Sequence, residues 1–210
     1  MSIFLRANQA IEELKSTSNS PVGVVAGPWN LSTWVPPLGI GLKINCDVTV
    51  KKNSTHGAIV VLLRNSHGNL IDGIAKFVTI SSILQGEAFA IFVDYKLQPG
   101  TSLEAELWAV YKGLIVVLQQ GLNGVIIETD AAQVVQLLQE EVGDKCLFRH
   151  LVEDSKILLK GCNCTVQHVW KEANLCADAL AKLRAAQPED MLVVKEPPVE
   201  IRSLLVDDML

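Results

Sequence analysis

The hydrophobic pattern of this 210-residue chain changes period once, and that change constrains the fold more than any other feature. Residues 42–50 (LKINCDVTV) alternate apolar and polar side chains, the period of a half-buried strand. Residues 57–64 (GAIVVLLR) read as a second, strongly apolar strand and residues 70–77 as a third. The NSHGN stretch at 65–69 between them is a tight turn signal, because Gly68 and Asn69 tolerate a positive φ. Three such neighbours predict an antiparallel meander. From residue 102 the period becomes helical: Leu103, Leu107, Val110, Leu114 and Val117 recur at spacings of 4, 3, 4 and 3, forming one apolar face. Gly121 ends that helix. Residues 124–130 (GVIIETD) read as a short buried parallel strand, 131–142 and 148–159 as helices, and 164–170 (CTVQHVW) as an alternating strand. Residues 174–186 read as a last helix opening on Asn174, a residue type suited to N-capping. The order β-β-β-α-β-α-α-β-α predicts an α/β domain, with a mixed five-stranded sheet and helices on both faces.

Composition sets the outer limits. Apolar residues at 49% and charged residues at 20% supply a core and exclude disorder of the whole chain. The longest apolar runs, such as 58–63 and 114–118, are too short to cross a bilayer, so no membrane association is expected. The opening MSIFLRANQAIEELK lacks the basic stretch and apolar stretch of a secretory signal. Five cysteines make an odd count without disulfide-framework spacing. Together these predict an intracellular protein, nuclear or cytoplasmic and not secreted. The net charge of −5 resides mainly in residues 187–210, where six acidic residues face two basic ones. A basic stripe of the kind that drives salt-sensitive nucleic-acid binding is missing from the sequence. The expected organisation is an extension or linker over 1–39, a domain over 40–186, and an acidic tail over 187–210. Within the domain, residues 78–95 form an atypical insertion: the stretch 78–93 is apolar and has no clear period. The tail reads as a solvated end, or as a segment docked back through Ile201, Leu204 and Leu205.

Four acids occupy unusual places. Asp47 sits in the middle of the first strand, and Glu106 in the first turns of the long helix, bordering its buried face. Asp130 ends the buried fourth strand, at the edge where open α/β sheets place their ligand crevice. Asp178 lies near the start of the last helix. Buried carboxylates are costly unless paired or metal-bound. A hard divalent cation relieves their mutual repulsion, and an all-oxygen set suits Mg²⁺ or Mn²⁺. Two such ions about 4 Å apart can activate a water and stabilise the leaving oxygen of a phosphodiester. Taken singly, each acid is more simply read as an N-cap, a strand-end turn residue or an ion-pair partner.

The motifs around these acids resemble the ribonuclease H fold, and more closely the plant reverse-transcriptase-like (ribonuclease H-like) domain related to retrotransposons. W-x-P-P-x-G-x-x-K-I-N-x-D runs from Trp34 to Asp47, and an R-N-x-x-G turn from Arg64 to Gly68. Glu104-Ala-Glu106-Leu-Trp108-Ala resembles the helix bearing the catalytic Glu, and Glu128-Thr-Asp130 the next site. The closing segment is His168-Val-Trp170-Lys171-Glu-Ala-Asn174-Leu-Cys-Ala177-Asp178-Ala-Leu-Ala181. The likeness covers roughly residues 34–208. It implies an endonuclease that cuts the RNA strand of an RNA–DNA hybrid with two Mg²⁺ (or Mn²⁺) ions; a monomer is expected. The implied catalytic and metal-ligating set is Asp47, Glu106, Asp130 and Asp178. Such an enzyme would sense the 2′-OH groups displayed in the hybrid's wide minor groove.

The chain departs from that pattern in places. Val48 follows the first acid where glycine is usual, and Ala131 follows the third where serine is common. The segment between strand and last helix is too short for the loop histidine of some relatives, and His168 falls within the strand pattern. These departures favour an alternative: a catalytically weak or inactive retroelement-derived domain that holds nucleic acid without turnover. Cys162, Cys164, Cys176 and His168 together suggest a zinc set, but C-x-C lacks metal-site spacing, and structural thiols are expected. Trp108 and Trp170 are read either as base-stacking residues or as core or rim packing.

Overall fold

The computed structural model describes residues 33–51, 56–79, 102–143, 146–186 and 191–209. Most of the 78–95 segment, from residue 80 onward, lies outside the described residues. Alternation in the first strand has a direct structural consequence. In β1 (Leu42–Val50), Ile44 and Cys46 are fully buried on one face of the sheet, and Val48 packs against the same core. Lys43, Asn45 and Asp47 therefore point to the other face. Val48 thus turns away from the face that carries Asp47.

β1 pairs antiparallel with β2 (His56–Asn65), and β2 with β3 (Leu70–Thr79), giving the expected meander. Asn65 holds the β2–β3 turn by accepting hydrogen bonds from the His67 and Asn69 amides. On its other side β1 pairs parallel with β4 (Ile126–Thr129), and β4 pairs parallel with β5 (Thr165–His168). The five strands expected from the sequence are present. A sixth, β6 (Met191–Val193), adds antiparallel to β3, so the sheet order is β5-β4-β1-β2-β3-β6 and β1 is central.

Helices cover both faces. α1 (Ser102–Gln119), α2 (Ala132–Gln139) and α3 (Arg149–Gly161) build the larger core with Ile44, Val61, Ile127 and Val166. Gly113 is the close-approach point of α1 on β1: a Cβ there would stand 2.9 Å from the Cys46 sulfur and 3.2 Å from an Ile44 methyl. Gly121, at φ +64°, ends the chain's helical run as the sequence predicts. The other face is covered by α4 (Leu175–Ala185), whose Cys176, Ala177, Leu180 and Ala181 pack on Val60, Leu62 and Ala75. A 3₁₀ turn (Lys171–Asn174) leads into α4. Asn174 occupies the N-cap position but makes no side-chain cap; its amide donates instead to the Cys46 carbonyl at 3.0 Å, fastening the start of α4 to β1.

The acidic tail is docked, not solvated, over its described part. After β6, Val194 is buried, and α5 (Val199–Asp207) inserts Ile201 completely into the α4-side core. Burying one such side chain stabilises the fold by about 1.5–3 kcal/mol. Of the tail acids among the described residues, Glu196, Glu200 and Asp207 are exposed, whereas Asp208 turns inward to Arg64.

Candidate active site

The parallel register of β1 and β4 aligns Asn45 with Glu128. Carried two residues further along both strands, it brings Asp47 beside Asp130. Glu106 arrives from the first turns of α1, on the opposite face of the sheet. One carboxylate oxygen from each of Asp47, Glu106 and Asp130 lies within 4.8 Å of the other two. This is the one group of three potential metal-ligating residues found among the described residues. Cys162 and Cys164 belong to the α1-side core and Cys176 to the α4-side core, so the sheet divides the candidate zinc thiols, all of which are free.

The electrostatics of the three acids are those of a site missing positive charge. Burial, then the nearby Asp130 and Asp178 charges, push the Asp47 carboxyl up to about 8, against the opposing pull of Lys171 and Lys182. Burial, then Asp47 and Asp130, push Glu106 up to about 9. Asp130 is also raised, chiefly by burial, with Lys171 and His168 pulling it down. Asp47 Oδ2 and Glu106 Oε2 are buried and accept no hydrogen bond. Orphaned carboxylate oxygens of this kind are expensive in protein interiors. An all-oxygen, unsatisfied and negatively charged pocket fits a hard divalent cation.

Asp178 stands apart from that group of three yet senses it, since its charge acts on both Asp47 and Asp130. It projects from the first turn of α4 and is buried, with Lys182 Nζ 2.5 Å from Oδ2 and Lys171 Nζ 3.4 Å from Oδ1. Glu104, quoted with Glu106 in the helix motif, lies outside the cluster; burial raises it to about 7, partly offset by a hydrogen bond with Trp108. His168 ends β5, as its strand reading requires, and meets Trp170 edge-on at 5.6 Å. The two tryptophans part company: Trp108 is 6% exposed and packs edge-on against Tyr111, whereas Trp170 is 49% exposed.

A second polar assembly adjoins the acids. Glu128 accepts four hydrogen bonds: from Trp34 Nε1 (2.8 Å), Asn45 Nδ2 (2.9 Å), Lys43 Nζ (2.6 Å) and Gln167 Nε2 (2.7 Å). Asn45 Oδ1 in turn accepts from Arg64 Nε and Nη2, and the Arg64 guanidinium lies 3.5 Å from the centre of the Trp34 ring. Arg64 Nη1 reaches Asp208 Oδ2 at 2.5 Å, tying in the end of α5. The lead-in residue Trp34, the central strand and the C-terminal helix are thereby joined in one buried network. Sequence reasoning quoted Trp34, Lys43, Asn45, Arg64 and Glu128 as parts of separate motifs and missed that they meet. The usable signal was alternation, which puts Lys43, Asn45 and Asp47 on one face of β1 and Glu128 and Asp130 on one face of β4, and the register makes these the same face of the sheet.

A family model described as reverse transcriptase-like matches residues 92–184. Curated proteins give no match. Among solved structures, the chain is similar to ribonuclease H1 from the halophilic archaeon Halobacterium salinarum, at 19% identity and a TM-score of 0.53, covering 69% of this chain and 97% of that one. It is similar to the N-terminal ribonuclease H domain of a Mycobacterium tuberculosis protein at 16% identity and a TM-score of 0.53, covering 71% and 98%. LC11 ribonuclease H1, solved in complex with an RNA/DNA hybrid, aligns at 17% identity and a TM-score of 0.50, covering 68% and 94%. With its antiparallel meander, parallel β1–β4–β5 edge and helices on both faces, this chain has a ribonuclease H-like fold.

Proposed function

We propose that the protein is a metal-dependent nuclease that cuts the RNA strand of RNA–DNA hybrids, with Asp47, Glu106, Asp130 and Asp178 as its catalytic and metal-ligating acids. The observation that carries this reading is the pair of buried, unpartnered oxygens, Asp47 Oδ2 and Glu106 Oε2, in a group of three carboxylates within 4.8 Å. Its expected cofactors are two Mg²⁺ or Mn²⁺ ions. When bound, they supply the positive charge that activates a water and stabilises a phosphodiester's leaving oxygen. The chain's own groups do the rest. Asp47 and Asp130 are held side by side by the β1–β4 ladder, and α1 is held at the depth Gly113 permits, which brings Glu106 to them. Asp178 completes the set when its carboxylate leaves Lys182 and Lys171. The hybrid-bound ribonuclease H1 among the similar structures supports the substrate class.

Cleavage of an end-labelled hybrid in Mg²⁺, abolished by chelation and by Asp47→Asn, is the expected result. A second reading is favoured by the two lysines that already counter Asp178: a nucleic-acid-binding module with little or no turnover. Hybrid binding without cleavage, identical in the parent chain and Asp47→Asn, would establish that reading in place of the first.

A further inference from the structure

Trp170 is the one exposed tryptophan, tyrosine or phenylalanine among the described residues. Its place beside the acids is built by the backbone. β5 runs parallel to β4 with His168 opposite Thr129, and the Val169 amide donates to the Thr129 carbonyl at 3.0 Å. Trp170 therefore follows directly after the residue that lies beside Asp130. The next residue, Lys171, pairs with Asp178 at 3.4 Å. The indole's mounting is fixed as well. Its backbone carbonyl accepts from the Ala173 amide at 2.9 Å, opening the 3₁₀ turn, and the His168 ring braces it edge-on at an interplanar angle of 73°.

Behind the indole is a cavity of about 60 Å³, shared with Trp34, Val35, Glu128 and Gln167. It has room for about two waters and none for a nucleobase. Its Glu128 carboxylate is already saturated by four donors. A ligand at this place must therefore lie on the exposed indole surface, outside the cavity. A large apolar π-surface next to a cation and a proposed phosphodiester site suits a nucleotide, since bases stack on aromatic side chains whatever their sequence. Inside a duplex both faces of each base are already covered by neighbouring bases. A base free to stack on Trp170 is therefore unpaired or terminal.

We infer that Trp170 is a stacking platform for an unpaired nucleotide flanking the acid cluster, so that the chain favours hybrids that pass into single strand over fully paired ones. This inference rests on the proposed nuclease reading for the location of the hybrid. Its test is separable from that reading.

The experiment titrates the full-length chain carrying Asp47→Asn, in Mg²⁺, with three fluorescent oligonucleotides. These are a blunt RNA–DNA hybrid, the same hybrid with a four-nucleotide single-stranded RNA extension, and the single strand alone. Adding Trp170→Ala should weaken binding of the extended hybrid about fivefold or more, and binding of the blunt hybrid less than twofold. Trp170→Phe, which retains a ring, should recover most of the loss. In the Trp170-containing chain, the extended hybrid should quench tryptophan emission more than the blunt hybrid does, and Trp170→Phe should remove that difference. An extended hybrid bound equally well with Trp170 or alanine overturns the inference, as does an equal loss for blunt and extended hybrids. If the parent chain cleaves hybrid while Trp170→Ala leaves junction binding intact, this inference alone fails. Binding of none of the three oligonucleotides overturns it together with the nuclease reading.

Discussion

Two buried carboxylate sites lie two residues apart on the same pair of strands, and they are satisfied in opposite ways. At the Asn45–Glu128 level of β1 and β4, Glu128 is 1% exposed and receives four protein hydrogen bonds, one from the Lys43 ammonium. One step on, Asp47, Glu106 and Asp130 crowd together, and two of their oxygens are buried without partners. The same backbone ladder thus holds one carboxylate the protein has completed, Glu128, and one it has not, Asp47, to which α1 adds Glu106. Position in the sheet does not separate the two cases; the supply of donors does. A completed carboxylate fixes strand register, whereas an incomplete set at the C-terminal edge of a parallel pair invites a cation.

Substitution at the completed site should have the largest effect on stability. Glu128→Gln replaces an acceptor oxygen with an amino group among four donors and leaves Lys43 buried without its counter-charge. A loss of about 3–5 kcal/mol is expected, read as a fall in Tm on the order of 10 °C. If Tm were unchanged, the network would not be what secures β1 to β4.

The incomplete site should respond in the reverse sense. Asp47→Asn should reduce hybrid cleavage by more than about 100-fold, exceeding what loss of an outer supporting group costs. Its metal-free Tm at pH 8 should equal or exceed that of the parent, because a repelled and unpartnered charge has been removed. A clear drop in metal-free Tm would mean that Asp47 is stabilised by the protein after all, erasing the contrast with Glu128.

pH sharpens the same contrast. Asp47 and Glu106 have folded-state values near 8 and 9, above the usual carboxylate range, so the unfolded chain releases these protons first as pH rises. Without metal, these two acids therefore lower stability progressively from about pH 4 to about pH 9, and most above that window. Scanning calorimetry in chelator should follow this decline, and Asp47→Asn should flatten it. Mg²⁺ or Mn²⁺ should raise Tm more at pH 8 than at pH 6, since binding need not then displace protons. A metal-induced shift of equal size at both pH values would contradict the assignment of these acids as ligands.

The smallest effect concerns Asp178. Lys182→Met removes an i,i+4 partner whose ammonium side is largely exposed, a pair of a class worth about 0.3–0.5 kcal/mol. Tm should move by no more than about 2 °C. Mn²⁺ affinity, measured by calorimetric titration, should rise, because the fourth carboxylate is released from a competitor. Unchanged affinity would detach Asp178 from the metal set.

Much of this arrangement was legible in the residues themselves. Alternation in LKINCDVTV yields both the strand and the face on which Asp47 sits, and the 4-3-4-3 spacing from Leu103 to Val117 yields α1. The motif likeness led to the same fold and named four acids, three of which the structure brings together. The docked tail was legible only as one of two options. An amphipathic segment of nine residues states which side is apolar but not what covers it, and it took the completed sheet edge at β3 and the α4 surface to receive β6 and Ile201.

Periodicity is a local property, set by the backbone geometry of one strand or helix, so the chain's own order of residues determined its elements, their buried faces and the edge at which Asp130 would emerge. Satisfaction of a buried charge is not local. Glu128 and Asp130 are separated by a single threonine, yet one meets Trp34, Lys43, Asn45 and Gln167 and the other meets Asp47 and Glu106. Only the packing of distant segments decided which carboxylate found donors and which found other carboxylates, because desolvation and Coulomb energies depend on neighbours in space.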